Sequence, residues 1–328
     1  FAIITVALIS GSIADRAKFG AWVVFTIAWA TLVYFPVAHW VWGGGWLGDL
    51  GIEDFAGGTV VHVNAGAAGL ALALVLGKRT GWPREPMRPH NLPLVLLGAT
   101  LLWFGWFGFN AGSELAVDGI TGLAFMNTQV ATAAAAGSWI LVEKLRDGHS
   151  TTLGLASGAV SGLVAITPAC GFIDPWASLV LGAIAGAASA YAVRLKYRFG
   201  YDDSLDVVGV HLVAGAIGAV ALGFFAAYPA VDPQGTGLFY GGGFAQLGKQ
   251  ALGPVVVGLY SFVLAWVIGK IIDKTMGFRV SVEAETTGVD VTTHAETGYD
   301  LGTIPTSSTT PAASADGRAA ATAERVSA

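Results

Sequence analysis

Apolar residues run along this chain in long blocks separated by short polar loops. The blocks fall at 1–14, 20–43, 57–77, 92–112, 124–143, 151–171, 175–194, 207–227 and 250–272. Most have about 20 residues, the length of helix that crosses the ~30 Å hydrocarbon core of a bilayer. Only helices and closed barrels satisfy the backbone in lipid, and long apolar runs predict helices. The first block, FAIITVALISGSIADRAK, is shorter. Its apolar run is about 13 residues, or ~20 Å of helix. It has neither a Met nor a charged n-region, so it does not read as a signal peptide. It reads as a partial span, the second half of a helix, and further helices are expected before it.

The polar positions sort by sign. Sixteen of the 17 Lys and Arg residues lie at or beyond alternate ends of these blocks, on one side, among them Arg16, Lys18, Lys78, Arg79, Lys144, Arg194 and Lys270. The other side has Lys249 and acids such as Asp49, Glu53, Glu114 and Asp118. Positive charge stays on the cytoplasmic side, so the C-terminus is expected inside the cell and Phe1 towards the outside. Residues 1–274 thus form a transmembrane domain and 275–328 a cytoplasmic tail. The tail's first part is polar, and from about Thr303 it turns to Ala, Thr, Ser and Pro, a composition expected to be disordered.

Composition agrees with this class. The chain is 54% hydrophobic and only 12% charged, against about 25% charged in soluble domains. The fold class is an all-α polytopic membrane protein. The formal charge of −5 adds little, because placement matters more than the total. A single cysteine, Cys170, excludes an internal disulfide and a Cys-rich metal site, and reads as a packing residue. Nucleotide-binding loops, metal motifs and nucleophile elbows do not occur, so neither a cofactor, a metal nor an enzymatic activity is expected. Ladders of small residues, Gly154–Gly158–Gly162 and Gly182–Gly186–Ala190, predict close helix contacts.

Two histidines interrupt the pattern. VVHVNAGAAGLALAL in the third block and VGVHLVAGAIGAVAL in the eighth share V-H-x-x-A-G-A-x-G, with His62 and His211 at the same position. Their helices run in opposite directions across the membrane. Two similar helices of opposite sense point to an inverted repeat, whose transport site lies near the midplane at the repeat interface. Either histidine alone could be a packing residue hydrogen-bonded to a neighbour; matched positions favour a pore role. Two neutral imidazoles can share one proton and still accept a hydrogen bond from a small N–H molecule, or relay a proton.

The stretch DFAGGTVVHVNAGAAGLALALVLGKR at 54–79 closely resembles the signature of the ammonium transporter (Amt/Mep/Rh) family, as an N-terminally truncated bacterial-type member. So do AHWVWGGGWL at 38–47, LLWFGWFGFNAGS at 101–113, DVVGVHLVAG at 206–215 and the tail piece GFRVSVEAETTGVDVTTHAETGYD. The resemblance covers about 1–301. It implies an eleven-helix bundle with an inverted five-plus-five repeat, about nine segments of which are present here, and a homotrimer with one pore per subunit. It implies a plasma-membrane transporter that conducts ammonium or ammonia. The substrate would be recruited by Trp42, Ser113 and Phe1, gated by Phe1 and Phe109, and passed along twin histidines His62 and His211. The family's acid before the signature matches Asp54; its position favours capping the helix N-terminus, with cation attraction secondary. Asp206 is expected to order the end of the His211 helix. A PII-type signal protein is the expected partner beside membrane lipid, and nucleic acid is not. Two alternatives stay open: a sensor that signals ammonium through the tail, and a membrane electron-transfer protein with His62 and His211 as axial haem ligands.

Overall fold

The computed structural model describes residues 1–228 and 236–299. The expected disorder from about 303 lies outside the described residues. Helix α1 (Ala2–Ile13) is followed by α2 (Phe19–Trp29), a π-helical stretch (Ala30–Tyr34) and α3 (Phe35–Trp42), then the single turn α4 (Trp46–Asp49). A second π-helical segment (Gly58–Val63) leads into α5 (Asn64–Leu76). Then come α6 (Leu92–Ala111), α7 (Gly119–Asp147), α8 (Thr152–Ile166), α9 (Pro175–Ala192) and the short α10 (Leu195–Phe199). A third π-helical segment (Val208–Val213) opens α11 (Ala214–Phe225), followed by α12 (Gly243–Thr275), α13 (Val282–Thr287) and α14 (Val289–His294). Among the described residues there are only isolated β-bridges and no strand. Six helical runs are long and apolar enough to cross a membrane.

Local sequence accounts for the boundaries. Asn91 caps α6 by accepting the Leu94 N–H at 3.0 Å. Asp118 and Thr121 form a capping box on α7, two reciprocal bonds that satisfy otherwise unpaired N–H groups. α7 ends at Gly148, whose φ of 84° is left-handed, a conformation that glycine adopts without a Cβ clash.

Two hydrophobic clusters organise the bundle. One draws on α1, α2, α5 and α12, with Ile9, Phe25, Trp29 and Leu72 fully buried. The other draws on α7, α8, α9 and α11, around Leu163, Ile166, Leu181 and Leu222. Small residues set the spacing in the second. A Cβ added at Gly162 or Gly182 would lie 2.7 or 2.2 Å from the Ala131 carbonyl oxygen, and one at Gly186 would lie 2.2 Å from that of Ala135. Both glycine ladders therefore close on α7 at the same two alanines. Cys170 is buried and free within this cluster.

The last span is followed by ordered chain rather than by a simple tail. Phe278 is fully buried against Phe25, with ring centroids 6.0 Å apart. Arg279 pairs with Glu285 at 2.7 Å. One compact unit thus runs from Phe1 to Thr286, past the end of α12, and a second begins at Thr287.

Candidate functional site

The segments Gly58–Val63 and Val208–Val213 carry His62 and His211 in corresponding positions, and both are π-helical. Single π turns within α-helices often mark functional sites, because the extra residue per turn re-aims a side chain. The first segment packs against α11 and the second against α5. A Cβ at Gly215 would meet His62 Cβ at 3.0 Å, and a Cβ at Gly66 would meet Leu212 at 2.6 Å. As the number rises on one helix it falls on the other, so the two cross antiparallel. Gly66 and Gly215 occupy the same place in the shared motif, and the absence of their side chains is what lets the helices approach.

That approach brings the imidazoles together. Nδ1 of His62 and Nδ1 of His211 are 3.2 Å apart, with rings inclined at 22°. A hydrogen bond at this contact places one proton between the rings, donated by one nitrogen and accepted by the other. Nε2 of His62 is buried with no hydrogen-bond partner among the described residues. A buried ring nitrogen in this state is an available acceptor or donor for a small molecule. The spacing also overturns the haem alternative. Axial imidazoles stand on opposite faces of an iron, and two rings at hydrogen-bond distance leave no room for one.

The other expected residues form a column of rings leading to this pair. Phe1 contacts Trp42 (5.6 Å between centroids) and meets Phe109 edge-on (4.4 Å, 82°). Phe109 lies 6.1 Å from His62. Trp42 is held by its indole N–H, which donates to the Asp54 carbonyl at 2.7 Å. Ser113 shares a groove with Phe1 and Phe109, and its hydroxyl donates to the Phe109 carbonyl at 2.7 Å. Above Trp42 lies a cavity of about 490 Å³ with Glu53, Asp54, Glu114, Phe172 and Tyr228 in its wall. Its acidic and aromatic lining suits a cation.

Asp54 belongs to the wall of this cavity. Its carboxylate accepts four backbone N–H groups, from Gly57, Gly58, Thr59 and Val60, at 2.7 to 3.0 Å. Together they satisfy the donors that a helix start leaves unpaired. Burial pushes the carboxyl up, and the four donors oppose that shift.

Asp206 lies at the opposite end of the site. Its side chain pairs with Lys196 at 2.7 Å, its φ is 61°, and burial raises it to about 6. The side-chain cap of the second histidine segment comes from Asp203 instead, whose carboxylate accepts the Val208 N–H at 2.8 Å. Asp203 is the counterpart of Asp54: each stands eight residues before its histidine. That equal spacing was the sequence signal for it.

Sequence reasoning also passed over Trp106. Its indole stacks on the His62 ring, with centroids 5.3 Å apart and planes inclined at 17°. It precedes Phe109 by three residues on α6, a spacing that puts both on one helix face.

The family model for the Ammonium Transporter Family matches residues 1–299. The chain is 55% identical over 315 residues to an ammonium transporter of Mycobacterium tuberculosis (strain ATCC 25618 / H37Rv), aligned over 92% of this chain and 66% of that protein. It is 48% identical over 300 residues to an ammonium transporter of Bacillus subtilis (strain 168), over 91% of this chain and 74% of that one. Among solved structures, Candida albicans Mep2 superposes with a TM-score of 0.80 at 38% identity, covering 85% of this chain and 64% of that one. A structure described as Sensor Amt Protein gives 0.82 at 32% identity, over 89% and 74%. The chain spans just under two-thirds of the length of the mycobacterial relative and of Mep2. The fold is the all-α ammonium-transporter fold of a multi-pass membrane protein. Matched by the family model across residues 1–299, with two antiparallel histidine helices at its centre, the chain belongs to the Ammonium Transporter Family.

Proposed function

We propose that this protein carries ammonium across the cell membrane, as a transporter and not an enzyme, through a pathway lined by His62 and His211. The observation that carries this reading is the buried imidazole pair at 3.2 Å with Nε2 of His62 unpartnered, reached through a column of aromatic rings. Ammonium arrives from the acidic cavity, whose wall includes Trp42. The Trp42 and Phe1 rings, in contact with one another, offer cation–π attraction of about 1–2 kcal/mol. Ser113, in the groove beside Phe1, has lone pairs that accept an N–H. Asp54 adds negative charge in the cavity wall besides capping its helix. Phe1 and Phe109 form a hydrophobic constriction that rejects hydrated ions. The ion gives up a proton to water before or within this constriction, and the ammonia formed donates an N–H to whichever imidazole Nε2 is unprotonated.

In this reading residues 1–274 form the transmembrane domain and 275–328 a cytoplasmic tail. The Trp42 end faces outward, in keeping with the sidedness of Lys and Arg. Three copies assemble into a trimer, and a PII-type signal protein closes the inner face. Ammonium uptake by cells lacking other carriers tests the function. His62→Ala should lower the uptake rate by about tenfold or more, the scale of one lost hydrogen bond in a dry site. Wild-type rate and selectivity in that variant would refute the histidine pathway. A sensor reading draws on the likeness to the Sensor Amt Protein; it predicts a response to ammonium without net uptake.

A further inference from the structure

Thr167 follows the last residue of α8 and is fully buried. Its hydroxyl accepts the Trp106 indole N–H at 2.8 Å and donates to the Leu163 carbonyl at 2.7 Å, with Asn110 Oδ1 at 3.3 Å. Asn110 donates to the Thr128 hydroxyl at 2.9 Å, and Thr128 donates to the Ala124 carbonyl at 2.7 Å. The Thr167 carbonyl accepts the Ala56 N–H at 3.2 Å, within the loop between Asp54 and the His62 segment. α6 buries only Trp106, Asn110 and Ala111 along its length. This buried network therefore pins α6 to α7 and α8, and ties both to the start of the His62 segment.

Trp has a single polar donor, which lies in the ring plane, so a partner for that donor, together with the Cβ tether, restricts how the ring can turn. Here the partner is Thr167, and the ring so fixed lies flat on His62 at 5.3 Å. With His211 at hydrogen-bond distance from its Nδ1, the His62 ring is held by two neighbours, one on a face and one at an edge. We propose that Thr167 is a positioning residue: through Trp106 it fixes the plane in which the His62–His211 pair presents its nitrogens to the substrate. The proposal rests on the transport reading above. Thr167 has no need to touch the substrate, since an imidazole lone pair lies in the ring plane and turns with it.

Three single variants and one double variant test it. Thr167→Val keeps the shape and removes the acceptor, Thr167→Ser keeps the acceptor, and Trp106→Phe removes the donor. Thr167→Val should lower ammonium uptake about tenfold, the scale of one hydrogen bond, and Thr167→Ser should restore it. In the Trp106→Phe background Thr167→Val should have no further effect, because the partner it serves is gone. The second readout is the ¹⁵N NMR signals of the His62–His211 ring nitrogens, assigned with His62→Ala. Thr167→Val and Trp106→Phe should both shift them, and Thr167→Ser should not. Wild-type uptake in Thr167→Val, or an additive loss in the double variant, overturns the proposal. If the wild-type protein carries no ammonium, the transport reading fails and the ring signals decide the positioning role. Signals unmoved in Thr167→Val, or in Trp106→Phe where Thr167→Val does not fold, overturn it.

Discussion

One carboxylate organises the approach to the histidines. Four N–H groups converge on Asp54, and its main-chain carbonyl holds Trp42. A change here therefore disturbs both the helix start and the ring above it. Asp54→Asn keeps the size but leaves one acceptor oxygen where two served four donors. Each buried donor left without a partner costs about 1–3 kcal/mol. The variant should lower the unfolding temperature in detergent, and an unchanged midpoint would show that the cap contributes nothing. Trp106 teaches a related point. It lies among the aromatics of LLWFGWFGFNAGS, and nothing in that string distinguishes a ring stacked on a histidine from one facing lipid. Phe104, two residues earlier, is 78% exposed while Trp106 is 6% exposed.

At the level of elements, the decisive feature is the crossing of the two histidine helices. Helix association in lipid rests on packing and interhelical hydrogen bonds, since hydrophobicity gives little preference between lipid and protein. Gly66 and Gly215 are the positions where packing is tightest across the crossing. A methyl at Gly66 would sit 2.6 Å from both the Leu212 backbone nitrogen and its Cβ. Gly66→Ala should cost about 1–3 kcal/mol, the range for overpacked sites. Gly105 in α6 has nothing within 4 Å, so Gly105→Ala should instead stabilise by about 0.5–1 kcal/mol through helix propensity. Thermal melts of the two variants in one detergent should move in opposite directions. Equal shifts would mean that the crossing distance is not limiting.

Across the whole molecule, charge holds one end together. Arg79 and Asp202 form a bidentate pair, with bonds of 2.9 Å from Nε and Nη2, although 123 residues separate them. Asp202 is fully buried, and its carbonyl also accepts Arg16 at 2.6 Å. Arg279 meets the end of α5 at the Leu76 carbonyl, at 3.1 Å. Loops from four parts of the chain are thus locked by three arginines. Arg79→Ala would strand a buried carboxylate, a change that costs about 3–5 kcal/mol. Arg79→Lys should not rescue it, because an ammonium group cannot reproduce the two-pronged contact. Loss of folded, monodisperse protein on size-exclusion chromatography is the expected result for both. The opposite surface character prevails along the spans: Leu101, Phe104, Trp176 and Leu259 are exposed, as suits helices whose solvent is hydrocarbon.

The placement of the long apolar helices was legible in the sequence because lipid imposes one rule throughout: about 20 apolar residues and no unsatisfied backbone. The nine apolar blocks each coincide with a helix or a near-continuous helical run. The histidine match was legible too, since a repeated motif needs no folding to be seen. Tertiary structure decided the rest. It set the 3.2 Å contact between rings 149 residues apart, which depends on a crossing that two glycines permit. It gave the second cap to Asp203 rather than Asp206, because a left-handed turn at Asp206 directs that side chain to Lys196. It also turned Arg16 and Arg79 from loop charges into buried ties. Hydrophobicity is additive along a chain and can be read locally. Hydrogen bonds and ring contacts depend on direction, and direction exists only once distant segments have met.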